Sequence, residues 1–234
     1  MRKMKQKQSG YSLIELLIAI AVGSVILTLV VGFLYSQQQI HVTHNAIVDM
    51  QQGARTALTL MTREIRMAGY DPTGNAGAEI EQADVDSFTF TTDSDGNGTL
   101  MVDSTTWESN ERIRYGINTN GDFGRATGAG NLHAIAYNID ALNFVYLDEN
   151  GGRLDDDNAG NVTSSIEDIR AVQITLVARS GDTLPALFLG GADNMIYENL
   201  QGEEIYTPDT GDRFRRIILY STAMLRNMGL ANPQ

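Results

Sequence analysis

Between Leu13 and Tyr35 the chain runs 23 residues that are apolar except for Glu15, Ser24, Thr28 and two glycines. At about 1.5 Å of rise per residue, a helix of that length spans the roughly 30 Å hydrocarbon core of a bilayer. The preceding decapeptide holds Arg2, Lys3, Lys5 and Lys7 and no acid. A basic flank of this kind predicts a cytoplasmic N-terminus, with the rest of the chain on the far side of the membrane. Glu15 is the anomaly. A carboxylate in hydrocarbon costs about 2.5–3.5 kcal/mol on insertion scales, so it demands a partner.

A cleaved secretory signal would need a small-x-small site. Ala19-Ile20-Ala21 offers one, but the apolar stretch before it is short, contains Glu15, and leaves about 13 mostly apolar residues behind. A plain signal anchor leaves Glu15 unexplained. The string Gly10-Tyr11-Ser12-Leu13-Ile14-Glu15, behind a short basic leader and ahead of an uninterrupted apolar helix, resembles the type IV prepilin processing motif. The resemblance implies that a membrane prepilin peptidase cuts after Gly10 and methylates the new amino terminus at Tyr11. It also implies that Glu15 pairs with the charged terminus of a neighbouring subunit during filament assembly. Two charges too costly to bury singly become tolerable as a pair. The sequence departs from the family's usual pattern at Tyr11, where phenylalanine is common, and at Gly32, where many major pilins have proline.

Beyond Gln37 the chain turns polar but keeps a helical period. Ile47, Met50, Ala54, Leu58, Met61, Ile65 and Ala68 form a stripe on one face, opposite Gln51, Gln52, Arg55, Thr59, Thr62, Arg63 and Arg66. No proline interrupts Ser12 to Gly69, and Gly69 followed by Pro72 predicts the helix end. The stripe reads as core. His41 and His44 stand one turn apart without a third ligand, and read as part of a solvated face.

The remainder consists of short strand-like runs between Gly/Asn/Asp turns: Ser87–Thr92, Arg112–Ile117, Leu142–Leu147, Ile169–Ala178 and Phe214–Ser221. Phe88/Phe90, Ile113/Tyr115/Ile117 and Val172/Ile174/Leu176 alternate, which predicts one face toward the helix and one toward water. The expected fold class is α+β: a long N-terminal helix, half membrane-spanning and half amphipathic, packed on an antiparallel β-sheet domain. The segments Asp148–Ile166 and Ala192–Thr210 read as long acidic loops, mobile or interface-forming.

Three stretches narrow the resemblance. Arg66-Met67-Ala68-Gly69-Tyr70-Asp71-Pro72 looks like the helix ending of PilW-like minor pilins, and Phe144-Val145-Tyr146-Leu147-Asp148 with Gly151 looks like their strand and turn. The run from Arg215-Arg216 to Leu225-Arg226-Asn227 is similar to a basic strand shared with the J-class pseudopilins of type II secretion. The arrangement so implied is pilin-like. It comprises a leader (1–10), the transmembrane and assembly half of the helix (11–36), its amphipathic half (37–69) and a periplasmic β-rich domain (70–234).

Asp93-Ser94-Asp95-Gly96-Asn97-Gly98 matches the opening of a calcium loop, alternate oxygen ligands followed by a glycine turn. Its twelfth position is Ser104 with Asp103 beside it, so the expected Ca2+ ligands, if the ion binds, are Asp93, Asp95, Asn97 and Asp103; no other cofactor is expected. Asp155-Asp156-Asp157-Asn158 reads as a solvated acidic loop and Trp107 as partly buried packing. No lysine follows Lys7, and G-x-S-x-G and H-E-x-x-H do not occur. His133 is the only histidine beyond residue 44, so no enzyme is indicated.

Charge completes the reading. Residues 1–70 hold 7 basic and 3 acidic side chains, residues 71–234 hold 10 and 26. A domain this acidic is unsuited to direct nucleic-acid contact, which needs basic patches. With no cysteine in the chain, disulfides and thiolate sites are excluded. What the resemblance implies is a minor pilin that helps initiate or cap assembly. Its implied partners are prepilin peptidase, other minor and major pilins, the inner-membrane assembly platform and, before assembly, membrane lipid. A J-class pseudopilin is the alternative within the same fold; an anchored adhesin or calcium-binding surface protein is the alternative outside it.

Overall fold

A computed structural model describes residues 12–181 and 192–229. The chain divides into two units, residues 1–45 and 46–234. Helix α1 runs Leu13–Ile65 and contributes to both. In the first unit, the large apolar side chains from Leu13 to Tyr35 are all exposed, as they must be in a segment built for hydrocarbon rather than for its own domain. His41 and His44 are exposed as well.

In the second unit the helix buries Met50, Ala54, Ala57, Met61, Thr62 and Ile65, with Ile47 and Leu58 partly covered. This is the expected stripe, widened by Ala57 and with one correction: Thr62, expected on the polar face, is buried. Thr62 is tolerated on it because its hydroxyl donates to the Leu58 carbonyl and stands 2.9 Å from Ser221 Oγ. The α-helix stops at Ile65, short of Gly69. The last turn tightens instead: Met67 and Ala68 N–H groups donate three residues back, to Glu64 and Ile65 carbonyls. Gly69 then takes φ +71°, the left-handed conformation that ends helices, and donates to the Thr91 carbonyl at 3.0 Å.

Five short strands follow as an antiparallel meander: β1 (Ile80–Ala83), β2 (Phe88–Thr91), β3 (Arg112–Ile117), β4 (Phe123–Thr127) and β5 (His133–Ala136), adjacent in that order. The chain continues through β6 (Ile139–Leu147), β7 (Arg153–Leu154), β8 (Ala171–Arg179), a small ribbon of β9 (Tyr197–Glu198) and β10 (Glu204–Tyr206), and β11 (Arg216–Met224). The second sheet is ordered β11-β8-β6-β7, all neighbours antiparallel. The two sheets and the helix share one core. Phe88 lies 5.9 Å from Phe144 and 5.7 Å from Tyr146, ring centre to ring centre, and Tyr115 stacks on Phe123 at 5.6 Å. The long helix followed by antiparallel sheets is the architecture expected of the sequence.

Two expectations require correction. The central strands do not face water on one side: β2 is buried along its whole length, and β8 buries Thr175 and Val177 on the face opposite Ile174 and Leu176. Nor is Ala192–Thr210 merely a loop. Its β9–β10 ribbon lies over that second face, where Asn199 Nδ2 donates to Asn143 Oδ1 at 3.1 Å and Gln201 Nε2 to Gln173 Oε1 at 2.8 Å. The alternating pattern marks which residues share a face; it is silent about what covers each face.

Candidate functional site

The N-terminal features begin where the described residues begin. Gly10 and Tyr11, the expected processing pair, lie outside them. Ser12 and Glu15 are inside, and they bond reciprocally. The Ser12 N–H donates to Glu15 Oε2 at 3.2 Å, and the Glu15 N–H donates to Ser12 Oγ at 3.3 Å. This is a capping box: each side chain satisfies a backbone donor that the first helical turn leaves unpaired. Glu15 therefore has a local role, holding the helix start, as well as any role between subunits. The S-x-x-E spacing is the sequence signal for it. After this cap, α1 is the one helix among the described residues that is long and apolar enough to cross a membrane.

The three stretches that carry the narrower resemblance are joints of the head. Ala68 is fully buried, Gly69 makes the left-handed turn, and the Tyr70 carbonyl accepts from Asp93 N–H at 2.7 Å. Phe144 and Tyr146 fill the core between the sheets, and the Tyr146 hydroxyl donates to the Asp84 carbonyl at 2.6 Å. Leu225 is buried, and Asn227 Nδ2 reaches the Arg66 and Ala68 carbonyls at 3.4 and 3.5 Å, tying the chain's later part to the helix end.

Arg216, the first residue of β11, is the most heavily engaged cation among the described residues. Its side chain is 1% exposed and its guanidinium donates to Asp140 (2.6 Å), Asp193 (3.0 Å), Asp212 (2.6 Å) and the Tyr206 hydroxyl (3.1 Å). Burial disfavours its charge, but the three carboxylates outweigh that and raise its pKa further. Burial likewise works against ionised Asp212, yet the bonds from Arg216 and the Phe214 N–H keep its pKa below the usual carboxylate range. The network closes β6, β11 and the 193–212 segment around one charge.

The expected calcium residues are only partly brought together. Asp93, Asp95 and Glu111 each place a carboxylate oxygen within 4.8 Å of the other two. Glu111 is a member to which the calcium-loop pattern does not point. Asp103 is not in the group: its Oδ1 is taken up by Thr105 N and Oγ1 (both 2.8 Å) and Thr106 N (2.9 Å), within its own exposed turn. Asn97 turns its amide nitrogen toward Asp95 and Glu108 and spends its oxygen on Thr99, so it offers no free donor oxygen. Burial pushes the Glu111 carboxyl up, with bonds from Ser94 opposing. Elsewhere, Asp156 accepts from the N–H and hydroxyl of both Thr163 and Ser164, so the exposed acidic run is ordered by its own turn. Trp107 is half-buried under the Arg112 guanidinium, 5.3 Å from the ring centre, and His133 is exposed on β5.

Residues 5–31 match the family described as the prokaryotic N-terminal methylation motif, a span that includes Gly10, Tyr11 and Glu15. The chain thus carries a prepilin-type N-terminal methylation motif. Among solved structures it is similar to a type IV-like pilin from Thermus thermophilus, at 15% identity and a TM-score of 0.48, over 76% of this chain and 97% of that one. No curated protein matches the chain.

Proposed function

We propose that this chain is a minor type IV pilin of PilW-like character, an assembly subunit and not an enzyme. The observation that carries the reading is the methylation-motif match over residues 5–31, placed directly on an apolar helix that bears Glu15. A peptidase cutting after Gly10 removes Arg2, Lys3, Lys5 and Lys7 and leaves 13 basic against 29 acidic residues, with no lysine. The basic leader then serves topology and processing, and the mature subunit is an apolar helix with an acidic head. Before assembly the helix sits in the inner membrane, N-terminus cytoplasmic and residues 70–234 periplasmic. During assembly it transfers to a bundle of pilin helices, and the Tyr11 amine pairs with Glu15 of a neighbour. Support for the PilW-like assignment comes from the order of the three resembling stretches, each of which performs a definite packing task in the head.

The test is co-expression with a prepilin peptidase and mass analysis of the N-terminus. The expected product begins at Tyr11, carries one added methyl group, and is absent when Gly10 is replaced by a bulky residue. Recovery of a chain that still begins at Met1, in cells whose own pilins are processed, would sink the proposal.

A further inference from the structure

We propose that Asp93, Asp95 and Glu111 form a calcium site in the head, at the junction of the β2–β3 connection with the start of β3. This stands apart from the assembly reading and does not depend on it.

Three carboxylates gathered in a loop would mean little by themselves. The separate observation is Glu111. Its residue is 1% exposed, and its Oε2 is buried without any hydrogen-bond partner. Buried carboxylate oxygens are almost always paired, because an unpaired one loses its hydration and gains nothing back. Here its other oxygen accepts from Ser94 N–H (3.0 Å) and Oγ (3.2 Å), the residue between Asp93 and Asp95, which holds the head of Glu111 against the two aspartates. Among the described residues, no arginine forms an ion pair with any of the three carboxylates. The chain's only lysines, Lys3, Lys5 and Lys7, stand in the leader.

The geometry suits one particular class of ligand. Calcium holds its oxygens at about 2.3–2.6 Å, so any two of them lie at most about 5 Å apart, and a set of carboxylate oxygens mutually within 4.8 Å fits around a single ion. The ligands are all oxygen, which disfavours soft metals. They come from an irregular loop and a strand approach rather than a rigid octahedral cage, a setting calcium tolerates and magnesium does not. Backbone N–H groups of Gly96, Asn97 and Gly98 hold Asp93 by both of its oxygens (2.7, 3.2 and 3.0 Å), so the loop is already wound around it. Glu108, bound to Asn97 and Thr99, adds negative field at the rim.

The position gives the ion a task. Asp93 N–H donates to the Tyr70 carbonyl just past the helix end, and Thr92 N–H to the Glu111 carbonyl. A bound calcium therefore fastens the turn that leaves α1 to the first sheet, and the head should be more rigid in calcium-rich surroundings.

The test uses the full chain in detergent micelles, with calcium chloride as probe and magnesium chloride as comparison. The expected result is saturable calcium binding by titration calorimetry. The melting temperature should rise about 5–10 °C at calcium roughly 100-fold above its dissociation constant. Glu111→Gln and the exposed Asp95→Asn should each abolish the rise. Glu111→Gln should also melt higher than the wild type when both are calcium-free, since repulsion is relieved; that keeps the test valid should one variant fold poorly. Absence of binding at 10 mM calcium (about a thousandfold above sensor-type affinities), an equal rise with magnesium, or a rise that survives both substitutions would each overturn the proposal.

Discussion

Glu64, in the last turn of α1, accepts the hydroxyl hydrogen of Tyr115 at 2.5 Å from the middle of β3. The same carboxylate oxygen accepts from Arg125 Nε of β4 at 2.8 Å. A single acidic side chain thus locks the helix end to two strands of the first sheet. Tyr115 is fully buried, so removing Glu64 strands a hydroxyl and an arginine at once. Glu64→Ala should cost about 2–4 kcal/mol, and Tyr115→Phe, which leaves the ion pair intact, about 1 kcal/mol. Chemical denaturation of the two variants and the double mutant measures this. Simple additivity of the two losses would show that the bond is not made.

Tyr115 and Tyr146 make the head sensitive to alkali. Burial raises both pKa values, and the neighbouring Glu64 adds to the effect at Tyr115. In the unfolded chain each ionises near pH 10. The folded state keeps its proton above that pH and the unfolded state does not, so the unfolded state is favoured as pH rises. The stability is intact below about pH 10 and then falls by about 1.4 kcal/mol per pH unit for each tyrosine. Denaturation midpoints between pH 8 and 11 should show the drop, and Tyr115→Phe or Tyr146→Phe should reduce its slope by one proton. An unchanged slope in both variants would assign the alkaline loss to other groups.

How far these features were legible depends on how local they are. The β3 segment Arg112-Ile113-Arg114-Tyr115-Gly116-Ile117 announces itself, because β-branched and aromatic residues alternate at buried positions. The strands beyond it do not. Phe-Gly-Arg-Ala-Thr in β4 and His-Ala-Ile-Ala in β5 have little strand propensity; β4 is a strand because β3 offers it a register, and β5 because β4 does. Glu111 escaped for the same reason. The calcium-loop pattern directs attention twelve positions along, to Asp103 and Ser104, while the carboxylate that arrives comes from the returning strand through the Thr92–Glu111 pairing. Ser12 and Glu15 lie at the other extreme: their capping is fixed by spacing alone.

Arg216 should be nearly irreplaceable. Its removal leaves Asp140, Asp193 and Asp212 facing one another without their shared cation, and truncating one member of such a buried set costs about 3–5 kcal/mol. Arg216→Ala is expected to lower the melting temperature by about 6–15 °C in a domain of this size. Arg216→Lys should recover less than half, since an ammonium cannot reproduce the planar fork that serves several acceptors. The network also sets an acid limit. The Asp212 pKa is held down in the folded state, so its stabilisation is present above about pH 4 and lost as pH falls below that value. Thermal melts of both variants at pH 7 and pH 4 read out all three effects, and equal melting of Arg216→Lys and wild type would refute the argument from geometry.

Substitution separates the cap that Glu15 makes with Ser12 from the intersubunit pairing proposed for it. In the single chain its carboxylate caps the Ser12 N–H, a task for which glutamine serves nearly as well as glutamate. Pairing with a neighbour's amino terminus requires a charge, which glutamine lacks. Ser12→Ala should weaken the helix start by about 1 kcal/mol and leave assembly close to normal. Glu15→Gln should keep the cap and permit cleavage after Gly10, because the peptidase acts upstream of it, yet fail to enter filaments. Sheared filaments probed for the subunit, together with mass analysis of the membrane-held fraction, distinguish the cases. If Glu15→Gln enters filaments as the wild type does, the negative charge is dispensable and capping is what Glu15 contributes. If Ser12→Ala is lost from filaments as completely as Glu15→Ala, the ordered helix start is what assembly requires. Only failure of Glu15→Gln beside success of Ser12→Ala assigns the intersubunit ion pair.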